Sequence, residues 1–227
     1  MNMERQAVRC EPHLVFETSH EKATQALNYL ALRAGGTVSK MKAIKLIFFA
    51  DRYHLRKYGR PVTGDVYWAM EKGPVASLAM NLAAHDECPD DYLEAPERTY
   101  AAKFLSSGPR HSVLSREPVD YDVFSETDAE ALDFAWREFG ALPSWELCQV
   151  THAYPEWRKR SGSLQPGGPA RAAMYYADFF LDADPQDPHL RSLGGRDPFA
   201  EAITDREKEM ALEIAEERSA EQAFWDR

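Results

Sequence analysis

The stretch that decides the reading runs from Lys40 to His85: KMKAIKLIFFADRYHLRKYGRPVTGDVYWAMEKGPVASLAMNLAAH. It opens as a helix. Ser39 stands at its head, and a serine oxygen there accepts a bond from a free N–H of the first turn. Met41, Ile44, Ile47, Phe48 and Leu55 recur at helical spacing and make a wide apolar face. Gly59 and Pro61 stop it: glycine adopts the left-handed conformation after a last turn, and the proline ring cannot continue a helix. An extended piece around Val66–Met70 follows, then a tight Gly73-Pro74 turn, stiff because proline fixes its φ, and a second helix from about Val75.

Working outward, residues 1–18 carry no period and read as a loose arm. From Ser19 a helix carries Ala23, Ala26, Leu27, Leu30 and Ala31 to Gly35-Gly36, and the short connection makes it a neighbour of the next helix. Downstream, the acidic Cys88–Pro96 segment reads as a loop, Glu97–Leu105 as a short helix, and His111–Val123 as a small hairpin. Thr127 and Glu130 have capping-box spacing and open a helix with Ala131, Leu132, Ala135, Trp136 and Phe139. Another helix starts at Pro143-Ser144 and is closed by Pro155. Ser161–Pro169 is a loop by composition, and Ala170–Phe180 reads as a last core helix. Thr204 and Glu207 repeat the capping spacing at the head of an acidic helix with Met210, Leu212, Ile214 and Ala215. The expected fold is mainly α (α+β): a compact multi-helix domain over 19–182 with a small β element, a linker over 183–198, and an acidic C-terminal helix within 199–227.

The chain has 227 residues, 44% hydrophobic and 11% aromatic, which suits a globular core and excludes a disordered chain. No apolar run is long enough to cross a bilayer, and MNMERQAVRCEPH lacks the apolar core of a signal peptide, so a cytoplasmic protein is expected. Cys10, Cys88 and Cys148 are odd in number and far apart, which argues against a disulfide framework. The net charge of −10 disfavours broad nucleic-acid binding. The charge is uneven. Residues 40–60 hold seven Lys/Arg against the single acid Asp51, and residues 199–227 hold nine acids against four bases.

The ordered set Lys45-Leu46-Ile47-Phe48-Phe49-Ala50-Asp51, Tyr58-Gly59-Arg60-Pro61, Gly64-Asp65, Ala69-Met70 and Gly73-Pro74-Val75 resembles the Panacea domain family of SocA-like antitoxins. Phe124-Ser125-Glu126-Thr127-Asp128 and the Leu147, Thr151-His152, Trp157 spacing extend the resemblance over roughly residues 20–180. It implies a helical, non-enzymatic protein without a cofactor. Its partner would be a cognate toxin, neutralised by direct binding within a toxin–antitoxin pair that serves phage defence. A SocA-like alternative is an adaptor that delivers a bound toxin to a AAA+ protease. A homodimer is a further open state, with the acidic helix as its arm.

For contact residues the reading selects the basic-aromatic helix face, Arg52, Tyr53 and Arg56, with Tyr67 and Trp68, because Arg, Tyr and Trp dominate interface hot spots. A different class, a zinc protein or a metal-independent hydrolase, rests on two pairs. His85 and Cys88 are two residues apart by intervening count, and Cys148 and His152 lie one helical turn apart. Asp51, His54, Asp128 and His152 are the acid–base candidates by type, and Asp51 and His54 could share a hydrogen bond on one helix. No GxGxxG after a strand, GxxxxGK[ST], GxSxG or HExxH is present.

Overall fold

A computed structural model describes residues 14–164 and 167–225. Helices α1 (His20–Arg33) and α2 (Lys40–Tyr58) open it, joined through the short strand β1 (Thr37–Ser39). The caps fall where the sequence puts them. Ser19 accepts the Lys22 N–H and Ser39 the Lys42 N–H, each at 3.2 Å, and Gly59 closes α2 at φ 72°. Every residue of α2 from Ala43 to Arg56 is buried, so this helix is wrapped on all sides.

The chain then makes a hairpin of β2 (Tyr67–Met70) and β3 (Gly73–Ala76), followed by α3 (Ser77–Leu82). Gly73-Pro74 is therefore not the turn expected from sequence: Glu71-Lys72 turn, and Met70 pairs with Gly73 and Ala69 with Pro74. Proline is tolerated there because β3 lies at the edge of a three-stranded sheet whose middle strand is β2. After α4 (Ala95–Phe104), strands β4 (Leu105–Gly108) and β5 (Ser112–Ser115) form a second hairpin, and with β1 a sheet of order β1-β5-β4. That hairpin precedes the expected one at His111–Val123. Arg110 and His111 make its bend at φ 56° each, without the Gly or Asn that marks such turns in sequence.

Helix α5 (Glu126–Phe139) is capped two residues before the expected position. Ser125 and Asp128 form the capping box, while the Thr127 hydroxyl is occupied by His54 at 2.9 Å. After α6 (Ser144–Thr151), Pro155 is the first residue of α7 (Pro155–Ser161), where a missing N–H is harmless. The expected core helix Ala170–Phe180 is instead the two-residue strand β6 (Ala172–Ala173) and a 3-10 turn, Tyr176–Phe180. It is drawn off helical geometry by Met174 N–H donating to Tyr67 O at 3.1 Å and Tyr176 Oη donating to Asp65 O at 2.6 Å.

The stretch 183–198, read as a linker, packs: it holds a 3-10 turn, Pro188–Leu193, and buries Ala183 and Leu190. Helix α8 (Pro198–Ala202) places Phe199 in the core, and α9 (Asp205–Trp225) lies on α2. Ala211 and Ala215 are its buried contacts, and a Cβ on Gly59 would sit 2.7 Å from Ala211 O. The core is an aromatic cluster. Phe49 stacks on Phe139 at 3.9 Å, Tyr53 on Phe134 at 4.0 Å, and Phe199 meets Phe134, Phe139 and Tyr154 within 5.8 Å. Burying each such ring stabilises by about 1.5–3 kcal/mol. Among the described residues no helix is long and apolar enough to cross a membrane.

Candidate functional site

A helix wrapped on all sides must find internal partners for its polar residues, because an unpaired polar group in the core is costly. Arg52 of α2 donates to Glu156 Oε1 of α7 at 2.5 Å and to Leu181 O at 2.7 Å, with its guanidinium 4.4 Å from the Tyr154 ring centroid. Arg56 donates to the carbonyls of Phe179 and Leu181 at 3.0 Å and to Asp182 Oδ1 at 2.5 Å, and Asp182 in turn takes Lys208 of α9 at 2.6 Å. Burial pushes the Glu156 carboxyl up and the Arg56 guanidinium down, against the opposing charges beside them.

Asp51 is equally enclosed. It accepts from the Thr63 N–H at 2.9 Å, the Thr63 hydroxyl at 2.5 Å and the Tyr67 hydroxyl at 2.8 Å. Burial pushes its carboxyl up to about 6, limited by those donors. Asp65 accepts the Leu78 and Ala79 N–H groups at the head of α3, at 2.9 and 2.8 Å, and burial pushes it up to about 7. His54 does not meet Asp51. It contacts Arg60 O at 2.6 Å, Thr127 Oγ1 at 2.9 Å and Asp128 Oδ1 at 3.3 Å, and burial followed by the Arg60 charge lowers it to about 4. Asp128 loses solvation too, but Arg60 and Lys22 outweigh that and hold it at about 2.

These positions correct the contact surface expected from sequence. Arg52 and Arg56 are 0% and 1% exposed, and Tyr53 and Tyr67 are buried as well. Their charges and hydroxyls tie α2 to α5, α7 and the 176–180 turn and face no solvent. Tyr53 donates to Glu130 Oε1 at 2.6 Å. Trp68 is half-buried, with the Arg171 guanidinium 4.3 Å from its ring centroid, and alone of the five keeps a solvent-facing edge.

One surface that opens is a groove of about 730 Å³ beside the start of α2. Met41 and Ile44 of α2, Met70 of β2, Val75 of β3 and Met80 of α3 supply its apolar lining, and Leu164 and the 168–170 segment bound it. Met41 and Met80 are exposed. Alternation along β2 sets this up: Tyr67 and Ala69 point into the core, Trp68 and Met70 outward. Trp157 Nε1 donates to Met70 O at 2.9 Å and fixes the strand from behind, its ring stacked on His152 at 3.7 Å. Lysines 40, 45 and 72 also line the groove, against the single lining acid Glu71. Lys45 is 2% exposed, and its Nζ donates to Pro74 O at 2.6 Å. Gly73, at φ 93°, lets the strand pass this closely, since a Cβ would lie 2.3 Å from Thr151 Oγ1 and 2.9 Å from Lys45 Nζ.

Comparison with family models matches residues 44–158 to the antitoxin SocA-like, Panacea domain family. The chain belongs to the SocA-like Panacea family. A search of curated proteins and a search of solved structures each return no match. The Panacea segment runs from within α2 to within α7, so it includes the Arg52–Glu156 pair, the Asp51 and Asp65 clusters and most of the groove. The acidic α9 lies beyond it, yet in this Panacea protein it closes over α2.

Of the hydrolase candidates His54 and Asp128 do meet, inside the fold at 3.3 Å, and the zinc residues do not gather. Among the described residues no group of three or more His, Cys, Asp or Glu is placed to hold a metal ion. His85 is turned to Leu82 O at 3.1 Å, Cys88 lies half-buried nearby in sequence, Cys148 Sγ packs 3.4 Å from Met41 Sδ, and His152 is lowered to about 4 by burial. What the sequence reading missed is the groove. Its methionines come from three separate elements, and only Met41 had been placed on an apolar face.

Proposed function

We propose that this Panacea protein is the antitoxin of a toxin–antitoxin pair, and that it neutralises its toxin by direct protein–protein binding, with phage defence as the setting. The observation that carries the reading is the methionine-lined groove set within the matched segment. Methionine is unbranched and soft, so a surface rich in it repacks around an inserted side chain. Of the acid–base candidates, Asp51, His54 and Asp128 are each consumed by fixed partners inside the fold, and the His152 ring is stacked on Trp157. That arrangement favours a binding role over catalysis.

The test is growth rescue. The gene adjacent to this one is expressed in a bacterial host, alone and with this chain, and complexes are purified through a tag on this chain. Toxicity alone, rescue together and a stable complex are expected. Met80→Glu, on an exposed position of the groove, should weaken the complex without unfolding the protein. No toxicity and no complex would sink the reading. Rescue with disappearance of the toxin polypeptide would replace neutralisation by delivery to a AAA+ protease.

A further inference from the structure

The floor of the groove does not match its walls. Lys45 is a buried cation in an apolar lining, and among the described residues no carboxylate lies within ion-pair distance of it. The groups that face it are the Pro74 carbonyl, the Thr151 hydroxyl, the Cys148 thiol and the His152 ring, none of them a negative charge in ordinary conditions. Glu71, the one acid of the lining, is exposed. An ammonium group has three donors, and the Pro74 carbonyl takes one. Burial accordingly lowers Lys45 to about 8, which still leaves it mostly charged near neutrality. The contrast with Arg52 and Arg56 is chemical: those buried cations have Glu156 and Asp182, and Lys45 has no counter-charge.

Resting on the reading that the groove receives the toxin, we infer that it recognises an apolar segment of that toxin carrying an Asp or Glu side chain, whose carboxylate pairs with Lys45 while flanking apolar side chains lie against Met41, Ile44 and Met80. The commitment to an acidic occupant follows from charge complementarity. Three lysines and one acid line the groove, Lys40 being already paired to Glu87 at 3.2 Å and Lys72 standing exposed at the mouth. Three methionines share the lining with Lys45, and their side chains shift at low cost. A carboxylate reaching it would make a charge-assisted bond in a low-dielectric site, where such bonds are strongest.

The test uses random 12-residue peptides displayed on phage, selected on the full chain and on Lys45→Met. The full chain is expected to enrich peptides that set an Asp or Glu among Leu, Ile, Met or Phe. Lys45→Met is expected to lose the acid preference while retaining the apolar one. A selected peptide, followed by fluorescence anisotropy, should bind Lys45→Met about tenfold to hundredfold more weakly, as should its Gln-for-Glu version against the full chain. Lys45→Met should melt at the same temperature or higher, since methionine keeps the stem and removes an unpaired charge. Should it fail to fold, Met80→Glu gives the same comparison at the exposed mouth by placing a negative charge against the acid. Selection without acid enrichment, no selected peptide, or unchanged affinity in both variants would overturn the inference. So would a dimer of this chain that Met80→Glu dissolves. A selected acidic peptide together with an adjacent gene product that does not bind would leave the groove chemistry standing and remove the toxin assignment. The reverse pairing would do the opposite.

Discussion

Replacing Arg52 by Met strands Glu156, and the size of the penalty can be worked out. Both side chains are 0% exposed, and Glu156 Oε2 already lacks a partner, so the carboxylate would lose its one strong donor at Oε1. The Met side chain keeps the stem volume against Tyr154, and Leu181 O keeps its bond from Arg56, so the charge dominates the change. A stranded carboxylate escapes by taking up a proton. From its ordinary value of 4.5 to pH 7 that costs at most about 3.4 kcal/mol, at 1.36 kcal/mol per pH unit. This agrees with the roughly 3–5 kcal/mol expected for breaking a buried pair from one side. The sign with pH follows. Glu156 in the folded variant titrates well above its unfolded value, so the deficit is absent below about pH 4.5 and grows as pH rises through the folded value. The difference from the parent protein should shrink to at most about 1.4 kcal/mol at pH 5.5, because burial already raises Glu156 in the parent. Urea unfolding followed by circular dichroism at pH 7 and 5.5 reads it from the midpoints. Arg52→Met combined with Glu156→Gln should remove the pH dependence. A loss that is the same at both pH values, or one below about 1 kcal/mol at pH 7, would refute the picture of a dry, mutually dependent pair.

Three further outcomes test other parts of the fold. Gly59→Ala should destabilise by about 1 kcal/mol or more, because φ is 72° there and the added Cβ meets Ala211 O and Ile214 at 2.7 Å; hydrogen exchange should speed first over residues 205–225. Phe199→Ala should cost about 3–5 kcal/mol by opening a cavity beside Phe134, Phe139 and Tyr154, and a chain cut before residue 198 should aggregate, whereas a free-standing helix after a true linker would be dispensable. The His54 ring should stay neutral down to about pH 4, read by NMR of the ring carbons. Its folded value lies below the unfolded one, so its contribution is full above about 6.5 and is lost as pH falls towards 4; titration near 6.5 would place the ring in solvent instead.

Local signals carried the helices well, because caps are local. Ser19, Ser39, Gly59 and the Thr204–Glu207 pair are where the chain uses them. The sequence reading placed the cap at Thr127–Glu130, but the chain uses Ser125–Asp128, because His54, 73 residues away, takes the Thr127 hydroxyl. The same distance effect misassigned the basic face of α2. Arg52 and Arg56 look like an exposed hot spot until Glu156 and Asp182, 104 and 126 residues on, are brought against them. A cation's neighbours in sequence do not say whether it is solvated, paired or stranded, and the three conditions have different consequences. Arg52 and Arg56 are paired and so hold the fold. On the proposed reading, removing either should weaken toxin binding only by lowering the folded population. Lys45 bonds the Pro74 carbonyl but has no carboxylate beside it among the described residues, so on the proposed reading its charge serves what enters the groove. Stability and binding should therefore separate cleanly between these positions: Arg52→Met loses stability first and binding as a consequence, while Lys45→Met loses binding with stability intact.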